Sequence, residues 1–105
     1  MNIDISPRAY EDLREIKQYI SRKLLNPSSA SETIEDLLKS IRSLGELPDR
    51  GAPLNTLVPI NSKYRFIQCR NYAIFYRVEE ERVFISRVLY KYRNFFRIFF
   101  PEEQD

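Results

Sequence analysis

The chain of 105 residues contains no histidine. Without an imidazole there is no His-based metal site, no Ser-His-Asp triad and no histidine general base. A single cysteine, Cys69, means that no disulfide can close within the chain. Neither a structural zinc site nor any other metal or cofactor is expected, and a reducing cytoplasmic setting is. Two glycines, Gly45 and Gly51, are too few for a glycine-rich phosphate loop. No run of about 18 apolar residues offers a membrane span. The opening MNIDISPRAYEDLREI holds acids and no apolar stretch, so it does not read as a secretory leader. Cys69 reads as a small buried hydrophobe, since nothing here would activate it as a nucleophile.

What is present suits a folded core. Hydrophobic residues make up 43% of the chain and charged residues 30%. The length matches one domain of about 100–150 residues, so residues 1–105 are read as a single unit. Charge is uneven along it. Residues 1–60 carry eight Lys/Arg and nine Asp/Glu, residues 61–100 carry nine and three, and residues 101–105 add three acids. The same 61–100 segment holds twelve of the fourteen aromatic residues. A near-neutral half is thus joined to a basic, aromatic half, a footprint suited to nucleic acid, DNA-associated proteins or an acidic peptide.

Residues 2–5 read as a short strand. Ser6-Pro7 is a helix start, a hydroxyl cap followed by proline at the first helical position. Ala9, Leu13, Ile16, Ile20 and Leu24 then mark one helical face, flanked by Tyr10 and Tyr19. Asn26-Pro27 repeats the start signal. Ala30, Ile34, Leu37, Leu38, Ile41 and Leu44 form a second stripe, with Gly45 and Pro48 as stops. Two amphipathic helices with a tight turn make a helical hairpin. Residues 46–62, with three prolines and Gly51, read as a loop. Tyr64–Cys69, Tyr72–Val78 and Val83–Leu89 then read as three antiparallel strands with short breaks. They are apolar on both faces, so both faces are expected to be covered. The helices cover one. Asn94–Phe100, as a short C-terminal helix, would cover the other. The whole is an α+β layer structure in the order β-α-α-β-β-β-α.

Asp12, Glu15, Glu32, Glu35 and Asp36 are read as the solvated face of the helices. Arg65, Arg70, Arg77, Arg87 and Arg93 on or beside the strands are the candidates for binding phosphate or carboxylate, since a guanidinium stays charged and forks onto either. Period-2 alternation allows Arg65 and Arg77 to share a face, depending on register. Tyr90 and Tyr92 flank Lys91, a combination able to stack on a base or act at a phosphodiester. Phe95, Phe96 and Phe99, crowded around Arg97, either pack onto the sheet or meet a partner helix.

Residues 5–16 (ISPRAYEDLREI), the Leu47-Pro48-…-Gly51 loop, Tyr64-Arg65, NYAIFYRV at 71–78 and RVLYKYRN at 87–94 together resemble the RelE/ParE superfamily of bacterial toxins, in order along nearly the whole chain. The resemblance implies a growth-arresting toxin of a type II toxin–antitoxin system. Its cognate antitoxin wraps it through a C-terminal region, and operator DNA is reached only through that antitoxin. In the RelE-like branch the toxin cuts mRNA on the ribosome. The resemblance would place that branch's basic residues at Arg65, Ile67, Ala73 and Arg93, and its tyrosine near Phe99. Only Arg65 and Arg93 are of the required type, with Tyr90, Lys91 and Tyr92 as helpers. The ParE-like branch acts on DNA gyrase and is favoured, because residue 73 is aliphatic and residues 87–94 resemble its Arg-Val-Leu-His-Gly-x-Arg-Asp block. Tyr90, Lys91 and Asn94 depart from that block. A RelE-like ribosome-dependent endoribonuclease is the alternative.

Overall fold

The computed structural model of the protein describes residues 1–56 and 62–90. Ser6 is the point from which helix and sheet are laid out. Its Oγ accepts from the backbone N–H of Ala9 at 3.0 Å and donates to Ser86 O at 2.9 Å, while its own N–H donates to Ile85 O. One buried serine thus caps α1 (Pro7–Gln18) and ties the end of β1 (Asn2–Ile5) to β5 (Arg82–Tyr90). Asn26 caps α2 (Pro27–Ser43) in the same way, accepting from Ser29 N–H at 3.1 Å.

The helical stripe departs from the expected one at its end. Residues Tyr19–Lys23 form a π-helical turn. The wider turn shifts phase, so Ile20 stays buried while Leu24 turns out and is 57% exposed. Leu25 closes the hairpin with a left-handed φ of 52° and is almost wholly exposed.

The sheet has five strands in the order β1-β5-β4-β3-β2, with β2 at Ala52–Pro53, β3 at Arg65–Cys69 and β4 at Tyr72–Glu79. The antiparallel β3-β4-β5 meander is as expected. Its two connections are two residues each, and Arg70 and Glu80 supply the positive φ that such turns require. Two further pairings extend it. β1 runs parallel to β5, with Ile5 opposite Ile85. Ala52–Pro53, read from sequence as loop, pairs with Phe66 and Arg65. Proline is tolerated there because the strand is at an edge. Between β4 and β5 the partners jump from Phe75↔Arg87 to Tyr76↔Ile85, leaving Ser86 as a bulge.

Both faces of the sheet are packed. Ile67, Ile74, Tyr76, Val83, Ile85 and Val88 meet the helices through Ala9, Leu13, Leu37 and Ile41. On the far face Ala73, Phe75 and Leu89 lie under Leu54, with Tyr64 and Phe66 at the margin. The 50s loop therefore provides part of that cover. The expected C-terminal helix at 94–100 falls outside the described residues.

Candidate functional site

Tyr76 organises one end of the molecule. Its ring is fully buried, and its hydroxyl accepts from Gly51 N–H at 2.8 Å and donates to Pro48 O at 2.7 Å. Burial raises its pKa above the usual phenol value, so it remains a neutral donor. Gly51 is required by this close approach: a β-carbon there would sit 2.5 Å from the Tyr76 hydroxyl and 2.7 Å from Phe66 O. The fixed Gly51 carbonyl in turn accepts from Arg65 Nη1 at 2.7 Å, and Asp49 lies 4.0 Å from the same guanidinium. Arg65 is thereby held at the sheet edge with about a third of its side chain (32%) exposed.

The other candidate arginines have different surroundings. Arg65 lies opposite Tyr76 in the β3–β4 register, so Arg77, the next residue, points to the other face. The two do not form one positive surface. Arg77 lies over the rings of Phe84 (4.6 Å) and Tyr64 (5.5 Å), donates to the Tyr64 hydroxyl at 2.9 Å and pairs with Glu79. Arg70, at the β3–β4 turn, binds Asp36 at 2.9 Å and Thr33 at 3.0 Å on α2.

Arg87 is an internal group. It grips Asp12 of α1 through two hydrogen bonds of 2.8 and 3.0 Å. The same carboxylate accepts Val88 N–H at 3.0 Å. β1 ends at Ile5, so the β5 edge past the bulge lacks a strand partner, and Asp12 takes its place. Asp12 is 3% exposed and so does not belong to the solvated helix face on which the sequence pattern places it. The spacing of 75 residues hides the pair from sequence reasoning.

Tyr90, partly exposed, closes β5 beside a groove of about 760 Å³ between the hairpin tip and the ends of β4 and β5. Tyr19 and Tyr72 also line it, and the rings of Tyr72 and Tyr90 meet edge to face at 6.0 Å. Burial, then Tyr90 and Tyr19, raises the Tyr72 pKa. Of the residues that the sequence singles out, Tyr19, Arg70 and Tyr90 reach this groove, but nothing in the sequence brings them together. Lys91, Tyr92, Arg93, Phe95, Phe96 and Phe99 lie outside the described residues. Among the described residues no three His, Cys, Asp or Glu side chains are grouped to hold a metal, and no helix is long and apolar enough to cross a membrane.

The described fold is that of a small α+β protein, a helical hairpin on one face of a mixed sheet, with Arg65 held partly exposed near the sheet edge. The sequence matches the family described as ParE toxin of the type II toxin–antitoxin system parDE over residues 3–95. The chain belongs to that family. A solved structure described as the chromosomal ParDE TA system from P. aeruginosa is similar to it, with a TM-score of 0.72 and 21% identity. The match covers 86% of this chain and 95% of the other, which places the two in one fold. No curated protein matches the sequence.

Proposed function

We propose that this single-domain chain is a cytoplasmic toxin that arrests growth by binding DNA gyrase, without chemistry of its own, and that a cognate antitoxin neutralises it. The observation that carries the choice of target is the burial of Ile67 and Ala73, 6% and 3% exposed, in the two cores. These are two positions where the RNA-cutting branch would carry basic groups. Cleavage needs a base for the 2′-hydroxyl, charge stabilisation at the phosphate and an acid for the leaving group. Arg65 offers charge, but its Gly51 and Asp49 contacts make it a positioned binding group, not a base.

The test is expression without a partner, followed by a supercoiling assay with purified gyrase. Growth arrest with loss of supercoiling is expected, and Arg65→Ala is expected to weaken the inhibition at least about tenfold, as for a central charged contact. New mRNA breaks on translating ribosomes with gyrase unaffected would transfer the chain to the endoribonuclease reading. Normal growth at good yield of folded protein would leave an antitoxin-binding module with no target.

A further inference from the structure

The edge that holds Arg65 holds a second arginine in the same manner. Arg50, exposed, donates to the Ser43 hydroxyl at the end of α2, and that hydroxyl donates in turn to Ser40 O at 2.6 Å. Arg50 thus has a neutral partner, as Arg65 has in Gly51 O. Among the described residues no ion pair engages Arg50, and the carboxylate near Arg65, Asp49, is 88% exposed. Burial is the leading influence on the Tyr76 hydroxyl, but the charges of Arg65, Asp49 and Arg50 all reach it, so the three stand near one point. The turn between the two arginines is fixed by its backbone. Leu47 N–H donates to Ser43 O at 3.0 Å, Arg50 N–H donates to Leu47 O at 3.1 Å, and the Tyr76 hydroxyl joins Pro48 O to Gly51 N–H. Apolar side chains lie along the same run. Leu47 is 62% exposed, and Ala52 and Pro53 are exposed, with Pro53 opposite Arg65 in the register. Arg42 and Glu46, exposed just before the turn, are of opposite sign, so the excess charge is that of Arg50 and Arg65 over Asp49.

A backbone already fixed has little ordering left to lose on binding. Arginine beside exposed apolar side chains is what the centre of a protein interface carries. A polyanion fits this edge poorly, because Asp49 stands 4.0 Å from Arg65 and repels a phosphate there. We propose that residues 47–53 with Arg65 form the face that docks on the toxin's protein target, Arg50 and Arg65 meeting carboxylates of that target and Leu47 buried against an apolar part of it. That the target is gyrase rests on the reading above, whereas the preference for an acidic, partly apolar protein surface rests on this edge alone.

Two experiments separate these. First, the full chain is titrated with acetyl-Glu-Leu-Glu amide and, in parallel, with acetyl-Gln-Leu-Gln amide and a short oligothymidylate, following the Leu47 methyl and the Arg50 and Arg65 Nε–H resonances by NMR. Shifts at all three residues are expected with the acidic peptide, with binding at least about fivefold weaker for the glutamine peptide and for Arg50→Gln. Equal binding of the two peptides, or no shift at these residues, overturns the proposal whether or not the chain acts on gyrase. Tighter binding of the oligothymidylate, lost in Arg50→Gln, overturns it in favour of nucleic acid. Second, inhibition of supercoiling by the wild type is compared with Arg50→Glu, Leu47→Ser and Lys17→Glu, all at exposed positions and each checked for folding by its far-UV spectrum. Arg50→Glu and Leu47→Ser are each expected to raise the concentration for half inhibition about tenfold. Arg50→Lys keeps the charge without the fork and should fall between Arg50→Glu and the wild type. Lys17→Glu makes the same change of net charge on α1, and inhibition within about twofold of the wild type is expected, since it acts only through the long-range field. Equal losses in Arg50→Glu and Lys17→Glu would overturn the docking face and leave only overall charge. Full inhibition by both Arg50→Glu and Leu47→Ser overturns it too, with the gyrase reading intact. A wild type without effect on gyrase, with the peptide preference intact, would overturn the gyrase reading and leave the edge as a docking face for a different acidic protein.

Discussion

Arg87 and Arg65 both sit on strands of one sheet, and they are held in opposite ways. Arg87 is closed in between helix and sheet, its fork filled by a carboxylate that is itself buried and that also caps a strand amide. Arg65 is held at the far edge by a carbonyl, with Asp49 4.0 Å away, and about a third of its side chain (32%) is exposed. A carboxylate partner neutralises an arginine and retires it to the fold. A carbonyl partner fixes its position, and the carboxylate neighbour of Arg65, Asp49, is 88% exposed and 4.0 Å away, too loose and too solvated to close the charge in. The contrast separates a structural arginine from a presented one without reference to sequence.

The largest expected effect comes from breaking the inner pair. Asp12→Ala should leave the Arg87 charge buried without a counter-ion and the Val88 amide without an acceptor. A loss of about 3–5 kcal/mol in urea unfolding is expected, as for removal of one partner of a buried pair. That is a large part of the stability of a small domain. A loss under about 1 kcal/mol would mean that water reaches this interface and that Arg87 is not structural. Replacing Asp12 and Arg87 together by apolar residues should recover part of the loss, because the stranded charge is then gone.

The edge arrangement should respond differently. Tyr76→Phe removes the hydroxyl that joins Gly51 and Pro48, and leaves a buried Gly51 amide unsatisfied. About 1–3 kcal/mol is expected from that loss. Gly51→Ala should cost at least as much, since its β-carbon collides with both the Tyr76 hydroxyl and the Phe66 carbonyl. If the edge loop positions Arg65 for a target, Tyr76→Phe should weaken gyrase inhibition at temperatures where the protein is still folded. Full inhibition by a folded Tyr76→Phe would separate the loop from the function.

This contrast was only half legible in the sequence. Ser6-Pro7 and Asn26-Pro27 marked both helix starts because capping is local, and the aromatic, β-branched runs marked the meander for the same reason. The parallel pairing of Asn2–Ile5 with β5 left no local sign, since parallel partners are joined through everything between them. The Ser86 bulge and the π turn at Tyr19–Lys23 each shift a pattern by a residue, and periodicity has no means of locating that step. The arginines were visible as a group, but their roles depend on partners distant in sequence: Gly51 for Arg65, Asp36 for Arg70, Asp12 for Arg87. Register alone decides that Arg65 and Arg77 face opposite ways, and register was what the sequence left open.

The smallest expected effect tests a third setting for arginine, the solvent-facing end of β4 and β5. There Glu79 lies between Arg77 and Arg82, and Arg82 also pairs with Asp4. The hydrogen bond from Arg77 is the leading cause that lowers the Glu79 pKa below the usual carboxylate value, with Arg82 adding to it. A carboxylate with a lowered folded-state pKa favours the folded state while ionised. Its contribution is present above the unfolded-state pKa and is lost as pH falls through the folded-state value. Glu79→Gln should therefore flatten a small part of the acid-side decline in stability and leave neutral-to-alkaline behaviour parallel to the wild type. Because the group is exposed, salt should shrink this difference, whereas the Asp12–Arg87 effect should persist at high salt. Urea midpoints across the acid range, at low and high ionic strength, measure both. An equal salt response of Asp12→Ala and Glu79→Gln would erase the distinction between an arginine closed into the fold and one left at its surface.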